Sequence, residues 1–259
     1  MSSKNHFDTS YYQKFEKKNK FHTYLLSLID RKGPIFFYLL AQKKPKAKLL
    51  DIGCGDAKFL QHVQNHFACL GVDTSTQALK LAKKKAPKAS FKKLSIYDLK
   101  KLPDQEFDII TCFDVLEHVT NHTAIFSQMH RILKPSGKLI VSFPNASSLM
   151  LRRKLQSWEC LQDSSHIYLL SAQDWEQRLR TNGLLPVKRW MSGFLNPIYK
   201  HINLSLFEKL FLQLPTQILF VFGFPLPVTW GDVAFIAAIK NPHFKNDYHL
   251  EQEKLSSTD

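Results

Sequence analysis

The sequence predicts an α/β fold: a seven-stranded, mostly parallel sheet with helices on both faces. Three observations predict it. From residue 48 onward, short apolar runs alternate with stretches whose apolar residues recur at helical spacing. The apolar runs are nearly continuous, as in strands buried on both faces. The first run ends in a turn with two glycines, Asp51-Ile-Gly53-Cys54-Gly55-Asp56, and a helical pattern follows it at once.

The elements follow in order. Residues 48–52 (KLLDI) form the first strand, and the helix after the turn carries Phe59, Leu60 and Val63. Residues 68–72 (ACLGV) form the second strand, followed by a helix over 76–85 with Ala78, Leu79 and Ala82 inward. A weaker third strand spans 91–96, and a fourth spans 107–113 (FDIITCF). Asn121 is placed to cap the next helix, with Ile125, Met129, Ile132 and Leu133 at helical spacing. Lys134-Pro135-Ser136-Gly137 reads as a turn before a fifth strand over 138–143 (KLIVSF). A helix over 172–181 has Ser171 as N-cap and Gly183 near its end, and strands over 184–190 and 233–239 (VAFIAAI) close the sheet. The final strand has no amphipathic crossover before it and is expected to be antiparallel.

Composition narrows the class. The 259 residues are 44% apolar and 12% aromatic, ample for a core, so wholesale disorder is excluded. No repeat or low-complexity tract is present, which excludes a solenoid. Four cysteines, Cys54, Cys69, Cys112 and Cys160, stand far apart without a C-x-x-C pair, so neither a zinc site nor a redox motif is expected. With a polar start and no apolar leader segment, this points to the cytoplasm. The longest apolar stretch, 218–228, is broken by Pro225 and Pro227 and falls short of the roughly 20 residues a membrane-spanning helix needs. Four parts are expected: a basic N-terminal helical segment or cap over 1–47, a ligand-binding domain over 48–193 and 231–241, an apolar helical insertion over 194–230, and a C-terminal tail over 242–259.

In an open α/β sheet, ligands bind beyond the carboxyl ends of the strands. Gly53 and Gly55 let backbone approach a ligand with no Cβ in the way, although by themselves they also make an ordinary tight turn. A dinucleotide site would need a third glycine where Lys58 stands. Asp73 lies about 20 residues past the turn, where an acid can accept from both ribose hydroxyls; it could also cap the next helix, a role open to Thr74 or Ser75. Asp98, at the end of the third strand, could accept from an adenine amine or start a turn. Together, one acid per strand end describes a nucleoside site.

These segments resemble the class I S-adenosylmethionine (SAM)-dependent methyltransferases. The matching stretches are LLDIGCGDAKF (49–59), GVDTS (71–75), YDL (97–99), FDIITCFDVLEHV (107–119) and ILKPSGKLIVSFPN (132–145), in the family's order. The D-V-L-E-H-V stretch is similar to quinone-biosynthesis and related small-molecule O-methyltransferases. Two departures stand out: Ala57 replaces the family's third glycine, and Ser164 and Ser165 replace acidic or aromatic residues before a late histidine. The resemblance implies a Rossmann-like fold with SAM as cofactor and S-adenosylhomocysteine (SAH) as product. It implies that Asp51, Gly53, Cys54 and Gly55 line the methionine end, Asp73 and Thr74 the ribose, and Tyr97 and Asp98 the adenine. Phe113 and Asp114 would border the methionine moiety and the acceptor pocket.

An oxygen acceptor must lose a proton, which calls for a base with a pKa near ambient pH. His118 and His166 are the candidate bases, whereas His122 reads as a solvent-facing residue of a first helical turn. His118 could equally cap the sheet edge. Glu117-His118 could contribute to a metal site, but no set of ligands shows convincing spacing, and no metal is expected.

The net charge of +14 is uneven. Residues 1–50 hold eleven Lys/Arg against three acids, and 80–101 hold nine lysines against one acid. Such charge favours a polyanion, either RNA or an anionic membrane surface. No RNA-binding module is recognisable, so nucleic acid is the weaker partner. The apolar insertion suits a lid over the acceptor pocket, a contact between subunits or an interfacial helix, and Arg152-Arg153-Lys154 would add to such a surface. Methylation of a small apolar or lipid-like acceptor at oxygen is expected, by a cytoplasmic protein attached peripherally to the membrane. RNA methylation and non-catalytic SAM binding are the alternatives.

Overall fold

The computed structural model describes residues 33–41, 44, 46–148, 163–192 and 231–244. The expected apolar insertion, the Arg152-Arg153-Lys154 cluster, Cys160, most of the basic N-terminal segment and most of the tail lie outside the described residues. The elements are α1 (Gly33–Leu40), β1 (Lys48–Ile52), α2 (Leu60–Val63), β2 (Ala68–Asp73), α3 (Thr76–Lys85), β3 (Ser90–Lys93), β4 (Phe107–Phe113), α4 (His122–Ile132), β5 (Leu133–Pro144), α5 (Ala172–Thr181), β6 (Leu184–Ser192) and β7 (Val233–Lys240). The seven strands form one sheet in the order β3-β2-β1-β4-β5-β7-β6. β7 runs antiparallel to both β5 and β6, and the remaining pairings are parallel.

The period of two along each strand divides the interior into two cores. Leu50, Ile52, Ile110, Cys112, Leu139, Val141 and Ile236 face one side, where Ile125, Phe126 and Met129 of α4 and Trp175 and Leu179 of α5 pack. Leu49, Ile109, Phe113, Ile140 and Phe235 face the other, against Ile35 and Leu39 of α1, Leu60 and Val63 of α2, and Leu79 and Ala82 of α3. α1 therefore supplies core to the sheet, with Tyr38 edge-on to Trp190 at 4.8 Å. Ser75 and Ser171 cap α3 and α5, the latter through a full capping box with Asp174. Among the described residues no helix is long and apolar enough to cross a membrane.

Three local expectations need correction. The third strand stops at Lys93, because the Ser95 hydroxyl accepts from the Tyr97 amide and caps a 3₁₀ turn over Ile96–Lys101. Asp98 is thus in that turn, paired with Lys101 at 2.9 Å, and not at a strand end. Leu133 leaves the helix to open β5, and Lys134 to Gly137 form an irregular stretch inside that strand in place of a separate turn. Lastly, His122 is not solvent-facing but 4% exposed. Its Nε2–H donates to the Leu116 carbonyl at 2.8 Å, and its Nδ1 accepts from Arg178 at 3.1 Å. The packing of α4 on α5 buries the ring edge-on against Trp175, 4.9 Å away.

A second histidine of α4 makes stability pH-dependent. Burial first, and the Lys240 ammonium second, push the His130 pKa down to about 4. Well above pH 6.5 the ring is neutral whether the chain is folded or not. As the pH falls from about 6.5 to about 4, the unfolded chain binds a proton that the folded one refuses, so stability falls by up to about 3 kcal/mol. His130→Leu is expected to remove most of that loss. Urea midpoints at pH 7 and pH 5 check this, and an unchanged pH dependence in the variant would refute it.

Candidate active site

The turn after β1 is shaped by what packs around it. The amides of Gly53 and Cys54 both donate to the Val72 carbonyl, at 2.8 and 3.0 Å, fastening the turn to the end of β2. Gly53 has φ +70°, and a Cβ there would stand 2.3 Å from Val115 Cγ2. Gly55 has φ +52°, and a Cβ there would meet nothing within 4 Å. Gly53 is therefore required by packing, whereas Gly55 opens onto space that a ligand can enter.

The flanking acids are anchored. Asp51 is buried and accepts from the Thr111 hydroxyl at 2.6 Å. Asp73 accepts from the Gly55 amide at 2.9 Å with one oxygen and from the Ser75 amide at 2.8 Å with the other. Ser75 caps α3, so Asp73 is not the helix cap. Each carboxylate oxygen retains lone-pair capacity for a ribose hydroxyl. Cys54 is a buried thiol whose pKa burial, with help from Asp51 and Asp73, pushes up, so it lines the turn as a small apolar group. Thr74 is exposed.

Tyr97 is also exposed, and its hydroxyl accepts from the Thr120 amide at 2.9 Å, joining the 3₁₀ turn to the segment after β4. Asp98 shares that turn. Phe113 is buried edge-on between Phe59 and Phe235, with centroids at 5.0 and 6.0 Å, so its ring belongs to the core. Asp114 is exposed with φ +55°; its amide donates to the Ser142 carbonyl at 3.1 Å, and its carboxylate accepts from the Ser142 hydroxyl at 2.7 Å.

A second cluster stands at the end of β4, beside β1 in the sheet. A 3₁₀ turn over Leu116–His118 carries buried Glu117 and half-buried His118. The loop holding His166 is fastened to it, because the amides of Ile167 and Tyr168 donate to the Glu117 carbonyl at 2.8 and 3.1 Å. The rings of His118 and His166 lie 4.7 Å apart. His118 Nδ1 is 2.9 Å from the Ser165 hydroxyl and 3.1 Å from the Ser165 carbonyl. Burial, reinforced by His166, lowers the His118 pKa against the opposing pull of the Ser165 carbonyl, Asp163 and Asp114. Burial alone would raise Asp163, but hydrogen bonds from the Ser165 hydroxyl and amide, together with the two histidines, hold it below the usual carboxylate range. Glu117, His118 and His166 offer ligand-type atoms within 4.8 Å of one another, the grouping among the described residues best suited to a metal ion.

The structure thus gathers the sequence-derived residues into two groups: Asp51, Gly53, Cys54, Gly55 and Asp73 around the first turn, and Asp114, His118 and His166 past β4. Reading the sequence missed Thr111, Ser142, Asp163 and Ser165. Of these only the Asp163-Ser-Ser165 spacing gives a local signal, for a turn closed by the Ser165 amide on the Asp163 carboxylate at 2.9 Å.

A family model described as a methyltransferase domain matches residues 22–188. The chain is 31% identical over 103 residues to a ubiquinone biosynthesis O-methyltransferase of Dechloromonas aromatica, covering 38% of this chain and 44% of that protein. It is 32% identical over 116 residues to the protein of the same name from Idiomarina loihiensis, covering 43% and 45%. The matches thus span less than half the length of these curated relatives. Among solved structures, a SAM-dependent methyltransferase of Thermotoga maritima, described as a possible histamine N-methyltransferase, aligns at TM-score 0.58 and 17% identity over 85% of this chain and 96% of its own. Magnesium protoporphyrin IX methyltransferase of Synechocystis PCC 6803, solved with bound SAH, aligns at 0.57 and 16% over 83% and 84%. At these identities the two structures speak for the fold alone. The open approach over Gly55 and the anchored Asp73 carboxylate suit SAM, and with the match over residues 22–188 the chain belongs to the class I SAM-dependent methyltransferases.

Proposed function

We propose that this protein methylates an oxygen of a small, apolar or lipid-like acceptor, with His118 removing the acceptor's proton. The observation that carries this is the juxtaposition of His118 with His166 and Glu117 directly past β4, on the edge of the sheet where the glycine turn follows β1. The name of the curated relatives supports an oxygen acceptor of quinone type.

Asp73 and the Gly55 backbone would hold the ribose, and Asp51, Gly53 and Cys54 would shape the wall toward the methionine end. SAM, when bound, supplies a methyl group on a sulfonium centre that departs as a neutral thioether. What remains for the chain is alignment, worth up to about 7–11 kcal/mol in well-oriented reactions, and removal of the hydroxyl proton. That proton passes to the imidazole, and the oxygen's electron pair forms the new O–C bond. A lysine edge, with Lys80, Lys83, Lys84, Lys88, Lys92 and Lys93 exposed on α3, β3 and the loop between them, would face an anionic lipid surface presenting the acceptor, on the cytoplasmic side.

The closeness of Glu117, His118 and His166 favours one second reading of the chemistry, in which a divalent cation at this cluster acidifies the hydroxyl instead. Methyl-labelled SAM, the purified protein and a cell extract containing membranes test both. Label is expected in the organic-solvent phase, and in the base reading the yield is unchanged after dialysis against EDTA. Loss on dialysis that magnesium or zinc restores would assign the step to the cation. Label in RNA would make the lysine edge a nucleic-acid track, and binding of SAM with no transfer anywhere would overturn the enzymatic reading.

A further inference from the structure

The geometry points to Ser165, held by Asp163, as the residue that fixes the tautomer of His118, making Nε2 its basic nitrogen. The inference follows from counting donors. Asp163 is an ionised carboxylate and can only accept, and its Oδ1 takes both the amide and the hydroxyl hydrogen of Ser165. With its hydrogen committed there, the Ser165 oxygen can offer His118 only lone pairs, at 2.9 Å from Nδ1. The Ser165 carbonyl, which has no hydrogen to give, lies 3.1 Å from the same nitrogen. Two acceptors converge on Nδ1, so Nδ1 carries the hydrogen. A neutral imidazole has one N–H, so the lone pair is on Nε2.

The support is rigid because the loop is tied down independently. The Glu117 carbonyl receives the amides of Ile167 and Tyr168, and the His166 amide donates to the Asp163 carbonyl at 3.1 Å. Asp163 and Ser165 are therefore positioning residues, acting on the acceptor only through His118. When Nε2 takes a proton, the Nδ1–H remains hydrogen-bonded to Ser165, and the Asp163 charge lies two hydrogen bonds behind the new imidazolium. No proton moves along the chain to Asp163. The same device serves either chemistry proposed above, because both a proton and a cation would need the Nε2 lone pair.

The proposal rests on the reading of His118 as the acting group, but its first test is independent of turnover. In the full-length protein labelled with ¹⁵N-histidine, with His118 assigned by loss of its signals in His118→Gln, imidazole NMR at neutral pH is expected to show Nδ1 protonated and Nε2 bare. Ser165→Ala, which leaves the backbone carbonyl as the remaining acceptor on Nδ1, is expected to admit part of the Nε2–H form and to lower kcat by up to about 10-fold, with SAM Kd and acceptor KM unchanged. Ser165→Thr, which keeps the hydroxyl, is expected to restore both the tautomer and the rate. A bare Nδ1 in the wild-type protein, or full kcat in Ser165→Ala, would overturn the proposal. Absence of turnover with every acceptor, beside a protonated Nδ1, would count against the proposed function and leave the tautomer assignment standing.

Discussion

His118→Ala is expected to lower turnover by a factor of about 10²–10⁴, the range for removing a general base, while leaving SAM affinity unchanged. The two effects separate because His118 stands past β4 in contact with Ser165 and His166, whereas the groups proposed to hold the cofactor are on the β1 turn and at the end of β2. Removing the ring also takes away one of the two partners of the Ser165 hydroxyl. That oxygen keeps its bond to Asp163, so the loop retains its anchorage and the loss is one of chemistry and not of folding. Added imidazole is expected to restore part of the rate in this variant, since the vacated space can admit a free base. Initial rates with methyl-labelled SAM, beside calorimetric titration of SAM, make the measurement. Full activity in His118→Ala would transfer the role to another group or to water. His166→Ala is expected to have the smaller effect of the two, because the proposed function assigns the proton to His118.

Asp73→Ala is expected to weaken SAM binding by about 1.5–3 kcal/mol, or roughly 10- to 150-fold in Kd. Two losses combine. The carboxylate would accept from the ribose, and a hydrogen bond to a charged acceptor is worth more than one between neutral groups. It also holds the Gly55 amide at 2.9 Å and the Ser75 amide at 2.8 Å, which fixes the turn on which the cofactor would rest. Asp73→Asn keeps one acceptor oxygen and is expected to fall between wild type and alanine. Calorimetry reads both variants, and a Kd within twofold of wild type in Asp73→Ala would remove Asp73 from the site. Folding is expected to suffer little, because Asp73 is only half-buried and Ser75, not Asp73, caps α3.

Much of this molecule is legible from local pattern. The runs at 48–52, 68–72 and 107–113 announce buried strands, the run at 184–190 announces the edge strand β6 only as a strand, and the caps Ser171 and Asn121 announce helices, because each signal is contained within a few adjacent residues. The double glycine and the acid about 20 residues later predict a nucleoside site by spacing alone, and the structure brings Asp73 onto the Gly55 amide. Where the local reading failed, competing local chemistry or distant packing decided. Ser95 offered its hydroxyl to the Tyr97 amide and turned the end of a predicted strand into a 3₁₀ turn, moving Asp98 with it. His122 looks like a surface residue until α5 brings Arg178 and Trp175 against it, 56 and 53 positions along the chain.

The sequence by itself determined the fold class, the order of the elements and the acid that ends β2, because these depend on periodicity and on turn residues. Tertiary structure alone decided which groups meet Nδ1 of His118. The Ser165–His118 contact joins residues 47 positions apart and exists only because the Glu117 carbonyl captures the loop that carries Ser165. It also decided that Gly53 answers to Val115 and Gly55 to open space, a difference two identical residues cannot show in sequence. The physical reason is the same in each case. A pattern records what a residue does to its own backbone, whereas hydrogen-bond partners and contacts across a sheet are fixed only when the whole chain has packed.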